Sequence, residues 1–130
     1  MDNNIQRKNR CAGKQINVRL TTSEETKLLF VMANLLYQNV TDSIRDMIRN
    51  VYLGSQYTTP EKLKEVVSAL PIDKKTKSTQ INMRLNYNET QMANTLMVKF
   101  EGESLSDVIR NLIGIYYNSV NKTKAEGFVF

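Results

Sequence analysis

The sequence predicts a mostly α-helical fold with one two-stranded antiparallel β-ribbon, built from a strand-helix-helix unit that occurs twice in one chain. Three observations predict it. Residues 14–52 align without a gap with residues 79–117, at a constant offset of 65 positions. Each copy opens with a stretch of alternating polar and apolar residues, and two amphipathic helical patterns follow. One such unit is too small to close a core, so we expect the two copies to fold together.

The repeat is supported by identical residues along its whole length. The identical pairs are Gln15/Gln80, Ile16/Ile81, Asn17/Asn82, Arg19/Arg84, Leu20/Leu85, Glu24/Glu89, Met32/Met97, Asp42/Asp107, Ile44/Ile109, Arg45/Arg110, Ile48/Ile113 and Tyr52/Tyr117. Other positions exchange similar residues, such as Val40 with Leu105 and Thr41 with Ser106. A gapless register of this length indicates that one unit has been duplicated.

The alternating stretch in each copy predicts a half-buried β-strand. Over residues 15–20 every second residue is apolar, and residues 80–85 repeat the pattern. If the two strands pair antiparallel, their apolar faces cover the helices and their other faces form one exposed surface. We call that surface the ribbon polar face; its residues are Gln15, Asn17, Arg19, Gln80, Asn82 and Arg84.

The first predicted helix of each copy follows directly after the strand. In the first copy we expect Thr22 or Ser23 to cap it, and in the second copy it is expected to start near Asn88. Its predicted apolar stripe comprises Leu28, Leu29, Met32, Ala33, Leu35 and Leu36 in the first copy and Met92, Ala93, Leu96, Met97 and Phe100 in the second.

The second predicted helix of each copy begins after a short turn. Asn39 and Ser104 are its expected N-caps, with Asp42 and Asp107 completing capping boxes. Its apolar stripe comprises Ile44, Met47, Ile48 and Val51 in the first copy and Ile109, Leu112, Ile113 and Tyr116 in the second.

A linker joins the two copies. Thr59 followed by Pro60 predicts the start of a short helix, which ends before Pro71. The predicted divisions are a basic N-terminal arm over residues 1–13, the first unit over 14–53, the linker with its helix and a second basic arm over 54–78, the second unit over 79–118 and a tail over 119–130.

The composition narrows the possible chemistry. The 130 residues include one cysteine, Cys11, and no histidine, which argues against disulfide frameworks, the usual zinc sites and histidine-dependent catalysis. We therefore expect neither an enzyme nor a bound cofactor. No apolar run approaches the roughly 20 residues that cross a bilayer, and the polar, basic start is unlike a signal peptide, so we expect a cytoplasmic protein without a membrane partner. The net charge of +5 favours an anionic partner such as nucleic acid.

The ribbon polar face has the chemistry needed to read double-stranded DNA. Arginine donates two hydrogen bonds to guanine, asparagine and glutamine pair with adenine, and a two-stranded ribbon fits the major groove. The alternative is an ordinary solvated strand face, but the same three residues recur in both copies. The cations before each strand are expected to contact phosphates, or else to form a solvated charge run; they are Arg7, Lys8, Arg10 and Lys14, and Lys74, Lys75 and Lys77.

The starts of the second helices are further expected phosphate contacts, because backbone N–H groups at a helix N-terminus bind anions well. The residues concerned are Asn39, Val40 and Thr41 in the first copy and Ser104, Leu105 and Ser106 in the second. Glu101 and Glu103 lie beside the second of these sites and are expected to weaken it. The two half-sites are therefore expected to be read unequally.

These segments resemble those of a known family. Residues 15–20 and 80–85 look like the ribbon of the Arc/MetJ ribbon-helix-helix superfamily, and residues 39–44 and 104–109 are similar to its phosphate-binding turn. The resemblance implies a tandem ribbon-helix-helix pseudo-dimer that reads bases with the ribbon polar face. The tandem form also resembles TraY-type accessory proteins of conjugative relaxosomes, which implies a relaxase or other DNA-processing protein as a partner.

One departure from the family lies in the turn between the two helices, where glycine is common. Gly102 keeps the glycine, whereas Tyr37 stands at the equivalent position of the first copy. Because a left-handed conformation is costly for tyrosine, we expect the first turn to have a different shape.

Several roles stay open for a DNA-binding protein of this kind. It could assist at an origin of transfer, repress transcription or copy number, or partition a plasmid. From another class, an antitoxin-like protein-interaction module is the alternative, for which the apolar end over residues 128–130 is the hint. Two units in one chain predict a folded monomer in dilute solution, with further self-association on DNA.

Overall fold

The computed structural model describes residues 14–68, 70 and 77–125. This part of the chain is mostly helical, with a two-stranded antiparallel sheet. The elements are β1 (Gln15–Thr21), α1 (Thr22–Leu35), α2 (Val40–Ser55), α3 (Pro60–Ser68), β2 (Lys77–Arg84), α4 (Tyr87–Phe100) and α5 (Leu105–Ala125). We call residues 14–55 the first half and residues 77–125 the second half. Across the described ranges, no helix combines the length and apolar character needed to span a membrane.

The two strands form a ribbon whose register follows the internal repeat, and the expected antiparallel pairing is confirmed. The Cα partners are Gln15 with Arg84, Ile16 with Met83, Asn17 with Asn82, Val18 with Ile81, Arg19 with Gln80 and Leu20 with Thr79. The central partners, Asn17 and Asn82, are equivalent positions of the repeat, so exchanging the two copies leaves the register unchanged. β2 begins at Lys77, before the predicted start, because Lys77 pairs with Thr21 past an irregularity in the ladder.

The apolar face of the ribbon lies on the helices and forms the centre of the core. Ile16, Val18 and Leu20 are almost fully buried, as are Met83 and Leu85. α1 packs on α5, and α2 packs on both α4 and α5, so the helix pairs join the two halves. In the second-helix stripes, Ile44, Met47, Ile48, Ile109, Leu112 and Ile113 are buried as predicted, and Val51 and Tyr116 are half-buried.

The first helix of each half begins earlier than the sequence predicts. Thr21 caps α1 and Asn86 caps α4. In each case the cap side chain accepts a hydrogen bond from the N–H of a glutamate, Glu24 or Glu89, whose carboxylate accepts one from the N–H of the cap. This reciprocal bonding needs a glutamate three residues after the cap, a condition that Thr21 and Asn86 meet. Thr22 meets it too, but its glutamate, Glu25, accepts a hydrogen bond from the Thr79 hydroxyl at 2.6 Å instead. The predicted positions at Thr22, Ser23 and Asn88 are therefore wrong.

The first helix is also buried over a narrower face than predicted. Leu28 and Met32 are buried as expected, but the rest of the predicted α1 stripe, Leu29, Ala33, Leu35 and Leu36, is exposed. Among the described residues, α1 packs chiefly on α5 and the ribbon, so the exposed stripe residues lie on the side away from these contacts. In α4 the predicted stripe is better covered: Ala93, Leu96 and Phe100 are buried, and Met92 and Met97 are half-buried.

The turns between the helices have the same shape in both halves, so the expected difference is wrong. The left-handed residue is Leu36 in the first turn, with φ of 62°, and Glu101 in the second, with φ of 57°. Each lies one position before Tyr37 or Gly102 and ends its helix as a left-handed C-cap. Because a side-chain-bearing residue takes the left-handed position in both turns, the glycine at position 102 does not determine the shape.

The linker helix α3 begins at Pro60, as predicted, and Leu70 beyond its end packs on the second half. The hydroxyl of Thr59 accepts a hydrogen bond from the N–H of Lys62 at 3.2 Å, and Leu63 is buried. Leu70 lies on Gly114 of α5, where a Cβ atom would be 3.1 Å from its Cδ2 atom. α5 itself continues to Ala125, beyond the predicted end of the second unit at residue 118.

Candidate nucleic-acid interface

All six residues of the ribbon polar face are exposed, whereas the residues between them pack towards the core. The register groups them into a first end of Gln15 and Arg84, a centre of Asn17 and Asn82, and a second end of Arg19 and Gln80. Each end therefore combines a glutamine from one half with an arginine from the other. The structure brings together the six residues that the sequence singled out.

The ribbon polar face presents donors and acceptors at regular spacing. Arginine offers a planar fork of donors, and each amide offers both a donor and an acceptor. Gln80 Nε2 donates to Asn82 Oδ1 at 2.9 Å, which orients these two amides relative to each other. At about 3.3 Å per residue, the face extends about 13 Å along each strand. This length matches about four base-pair steps of B-form DNA.

The start of α2 combines free backbone donors with a fixed carboxylate. Asn39 Oδ1 accepts a hydrogen bond from the N–H of Asp42 at 2.8 Å, and Asn39 Nδ2 donates to Asp42 Oδ2 at 2.9 Å. The predicted capping box is thus only half formed, because the carboxylate bonds the side chain of Asn39 and not its backbone. The first-turn residues whose N–H groups have no acceptor within the helix are Val40 and Thr41 in α2 and Leu105 and Ser106 in α5.

At the start of α5, more side chains form hydrogen bonds with nearby groups than at the start of α2. Ser104 Oγ accepts from the N–H of Asp107 at 3.3 Å, and Asp107 Oδ2 accepts from the N–H of Glu103 at 3.1 Å. The hydroxyl of Ser106 donates to the carbonyl of Asn17 at 3.2 Å, so this helix start lies beside the centre of the ribbon. The acidic residues around it are Glu101, Glu103 and Asp107. An anion approaching this site would meet more negative charge than at α2.

Of the predicted basic contacts, Lys14 is the one whose side chain is described. It is exposed, and its carbonyl accepts a hydrogen bond from the N–H of Leu85 at 2.9 Å, which places it at the first end beside Arg84. Lys77 lies in β2, where only its backbone is described. The other predicted contacts lie outside the described residues: Arg7, Lys8, Arg10, Lys74 and Lys75.

Two arginines that the sequence analysis left without a role contact the backbone of the ribbon. Arg45 Nη2 of α2 donates to the carbonyl of Arg84 at 2.7 Å. Arg110 of α5 donates to the carbonyl of Arg19 through Nε at 3.3 Å and through Nη2 at 3.1 Å. Arg45 and Arg110 are an identical pair of the repeat, as are the glutamates beside them, and that shared identity was the signal that could have found them.

A surface cleft lies beside the inter-helix turn of each half, and the two clefts differ. The first cleft is lined by Leu36, Tyr37, Gln38, Asn39, Asp42, Arg45, Asp46, Arg49, Asn86 and Glu89. The second cleft is lined by Glu24, Val67, Leu70, Phe100, Glu101, Gly102, Glu103, Asp107, Arg110 and Asn111. Most lining residues are equivalent in the repeat, but Val67 and Leu70 of the linker enter only the second cleft.

The first cleft contains its own polar network. Tyr37 donates from its hydroxyl to Asp46 Oδ2 at 2.7 Å, and burial together with this carboxylate raises the pKa of Tyr37 to about 12. Arg49 lies 3.4 Å from Asp46 and 3.7 Å from Glu89. The equivalents of Tyr37, Asp46 and Arg49 are Gly102, Asn111 and Gly114, so the second half has no counterpart of this network.

No protein-family model, no curated protein and no solved structure matches this chain. Within residues 14–68, 70 and 77–125, no three acidic, cysteine or histidine side chains cluster closely enough to hold a metal ion. What the chain does is therefore inferred from its own residues and their geometry.

Proposed function

We propose that this protein binds duplex DNA sequence-specifically, as a tandem ribbon-helix-helix pseudo-dimer of the Arc/MetJ type whose β-ribbon enters the major groove. The observation that carries the proposal is the register of the ribbon. Equivalent residues of the two copies are related by an approximate two-fold axis through the Asn17–Asn82 pair, and all six polar side chains face outward. A strand face that served only to contact solvent would need neither this symmetry nor the repeated glutamine, asparagine and arginine.

The dimensions and chemistry of the ribbon polar face support the proposal. The major groove is about 12 Å wide and accepts a two-stranded ribbon. Arginine recognises guanine, and asparagine and glutamine recognise adenine, through paired hydrogen bonds at base edges. Because the first and second ends have the same composition, the preferred site should contain two similar half-sites related by an approximate dyad.

Phosphate contacts beside the ribbon would be stronger at the first end. Lys14 is exposed there, and α2 adjoins this end through Arg45. The N–H groups of Val40 and Thr41 would donate hydrogen bonds to a phosphate oxygen at the start of α2. The corresponding start of α5 is surrounded by carboxylates, which repel phosphate. We therefore expect the protein to bind its site in one preferred orientation.

The biological role that we propose is that of an accessory protein of a conjugative relaxosome, with a relaxase or other DNA-processing protein as its partner. The tandem chain supports this role over the alternatives of a transcriptional or copy-control repressor or a plasmid partition protein. A search of the host element for the preferred site would separate them, because a transfer origin, a promoter and a partition locus are different places.

A second candidate function, a protein-interaction module, is favoured by the exposed apolar residues of α1. Leu29 is 55% exposed and Leu36 is 85% exposed, and they lie on one side of the helix. Large apolar side chains exposed together often mark a protein contact. This function would be added to DNA binding rather than replace it.

The test of DNA binding is selection from a randomised duplex pool at near-physiological salt, followed by sequencing. We expect an enriched motif with two similar half-sites. A matched selection with the variant Asn17→Ala plus Asn82→Ala should lose the preference at the centre of the motif while still retaining DNA.

The remaining outcomes of the selection are equally informative. A retained pool without any motif would mean that binding is driven by phosphates alone and that the ribbon does not read bases. No retention at all would refute DNA binding and leave the protein-interaction module as the function to pursue.

A further inference from the structure

The arginines of the second helices cross from one half to the other. Arg45 belongs to the first half, yet its guanidinium bonds the carbonyl of Arg84 in the second half. Arg110 belongs to the second half and bonds the carbonyl of Arg19 in the first. The two contacts are equivalent under the repeat and do not depend on the linker. Each base-facing arginine is therefore attached, through its own backbone, to a helix of the opposite half.

Each crossing arginine also lies beside a glutamate that fixes a helix start. Arg45 Nε is 3.5 Å from Glu89 Oε1, and that oxygen accepts a hydrogen bond from the N–H of Asn86 at 2.9 Å. Glu89 is only 3% exposed, so its charge has little access to water. The chain of contacts thus joins the second helix of one half to both the strand end and the first helix of the other.

The same arrangement recurs at the second end with longer distances. Arg110 Nε is 3.9 Å from Glu24 Oε1, which accepts from the N–H of Thr21 at 2.9 Å. Arg110 also bonds Asp107 at 3.0 Å, a contact within its own helix. The second end therefore has the same set of contacts, but the guanidinium of Arg110 is shared among the carbonyl of Arg19, Glu24 and Asp107.

We infer that Arg45 and Arg110 are positioning residues that hold the base-reading arginines Arg84 and Arg19, each across the boundary between the two halves; this inference rests on the proposed function. A bidentate contact to guanine tolerates displacements of only about 0.5 Å, so the arginine must leave the ribbon in a fixed direction. The hydrogen bond that Arg45 or Arg110 donates to the backbone carbonyl of the base-reading arginine holds that arginine's peptide group in place, and the peptide group sets the direction in which its side chain leaves the ribbon.

The crossing makes a specific prediction about which bases are affected. Replacing Arg45, in the first half, should relax recognition at the base positions read by Arg84, in the second half. Replacing Arg110 should relax the positions read by Arg19. A residue that merely stabilised the fold, or one that bound phosphate, would affect the two ends alike.

The experiment measures the DNA affinities of the single variants Arg45→Met, Arg84→Ala and Arg19→Ala, and of the two double variants that combine Arg45→Met with each of the others. Each protein is tested with the selected site, with single-base variants of that site and with random duplex. We expect Arg45→Met to lose about tenfold in affinity for the selected site. The lost base preference should map to the positions affected by Arg84→Ala. The effect of Arg45→Met should be largely absent when Arg84 is already alanine, and undiminished when Arg19 is alanine.

The controls separate positioning from the alternatives. Affinity for random duplex, and the dependence of binding on salt, should be unchanged in Arg45→Met, because no phosphate contact is removed. Arg49→Ala, one turn further along α2, removes a contact to Glu89 but none to the ribbon, so it should leave all base preferences intact. Arg45→Lys is the variant to use if Arg45→Met unfolds; it keeps the charge but loses the guanidinium fork, and it should show the same positional effect.

The failure of this inference can be told apart from failure of the proposed function. If the unmodified protein selects no motif, the proposed function fails, and the positioning role fails with it. If the unmodified protein selects a motif but Arg45 variants weaken both ends equally, or weaken random duplex by the same factor, the positioning role alone is wrong.

Discussion

The two halves of the molecule share one surface and differ in another. At the ribbon they have the same exposed residues, the same register and the same arginine contacts to the backbone. Beside the inter-helix turns they diverge: the first cleft holds Tyr37 and Arg49, whereas the second half has Gly102 and Gly114 at the equivalent sequence positions, and Leu70 of the linker lines the second cleft. The ribbon positions must match in the two halves for the ribbon to be symmetric. The positions beside the inter-helix turns need not match, and they differ where the linker contacts one of them.

The comparison also indicates how a single chain can treat its two halves differently. The linker can follow only one path, and its described residues pack on the second half. In the second half, Leu70 of the linker lies against Gly114, and at the equivalent position the first half has Arg49, which pairs with Asp46 and Glu89. We expect equal contributions from the halves to the core and the ribbon, and unequal contributions from the clefts.

The largest effects should come from the shared core. Ile44 and Ile109 are both essentially unexposed, so Ile44→Ala and Ile109→Ala should each lower the free energy of unfolding by about 2–5 kcal/mol. Urea denaturation would measure this. As a control, Leu36→Ala should cost less than about 0.5 kcal/mol, since Leu36 is exposed. A large loss for one isoleucine and almost none for the other would mean that the halves do not share one core.

The ribbon should show intermediate effects on binding. Asn17→Ala and Asn82→Ala should each cost about 1–3 kcal/mol of specific binding and affect neighbouring central base pairs, because the two residues face each other. Lys14→Ala should instead weaken binding to all sequences alike and lower the salt slope by about one. Fluorescence anisotropy with selected and random duplexes would test both. Indistinguishable behaviour of the asparagine and lysine variants would contradict base reading at the ribbon centre.

The packing of the linker on α5 can be tested with two helical glycines. A Cβ atom at Gly54 would meet nothing within 4 Å, so Gly54→Ala should stabilise the protein by about 0.5–1 kcal/mol through helix propensity. A Cβ atom at Gly114 would lie 3.1–3.2 Å from the methyl groups of Leu70, so crowding should offset the same gain. Thermal unfolding of the two variants gives the comparison, and equal gains would show that Leu70 does not pack on α5 in solution.

The smallest effect should be a pH dependence of stability that arises at Tyr37 in the first cleft. Burial and Asp46 raise the pKa of Tyr37 from 10.0 to about 12, so the folded state holds this proton more tightly than the unfolded state. The resulting stabilisation is complete below pH 10 and is lost as the pH rises towards 12. Tyr37→Phe should therefore lose less stability over that range than the unmodified protein, measured by urea midpoints. Identical losses would contradict the proposed environment of Tyr37.

Much of the fold follows from local patterns in the sequence. The strict alternation of polar and apolar residues identified both strands, because a strand with one buried face needs an apolar residue at every second position. The burial of Ile44, Met47 and Ile48 followed from helical spacing in the same way. The register could be expected from the duplication, since equivalent strands that pair antiparallel meet most simply about a two-fold centre.

Other features depend on three-dimensional context that local patterns do not contain. Three consecutive hydroxyl residues, Thr21, Thr22 and Ser23, could all cap α1. Both Thr21 and Thr22 have a glutamate three residues later, so local spacing does not choose between them. The spacing of Leu29 and Leu36 is typical of a buried stripe, but their exposure depends on which elements cover α1. The roles of Arg45 and Arg110 depend on strand ends distant in sequence, although their identity in the two copies was visible.

The measurement that tests the central claim most directly is binding to the selected site with a guanine replaced by deazaguanine, which lacks the N7 acceptor in the major groove. If the ribbon reads that groove, the replacement should weaken binding of the unmodified protein at guanines in the half-sites. It should have little further effect on the arginine variant, Arg19→Ala or Arg84→Ala, that no longer reads that guanine. Full affinity of the unmodified protein for every such duplex would contradict recognition of guanine by the ribbon arginines in the major groove.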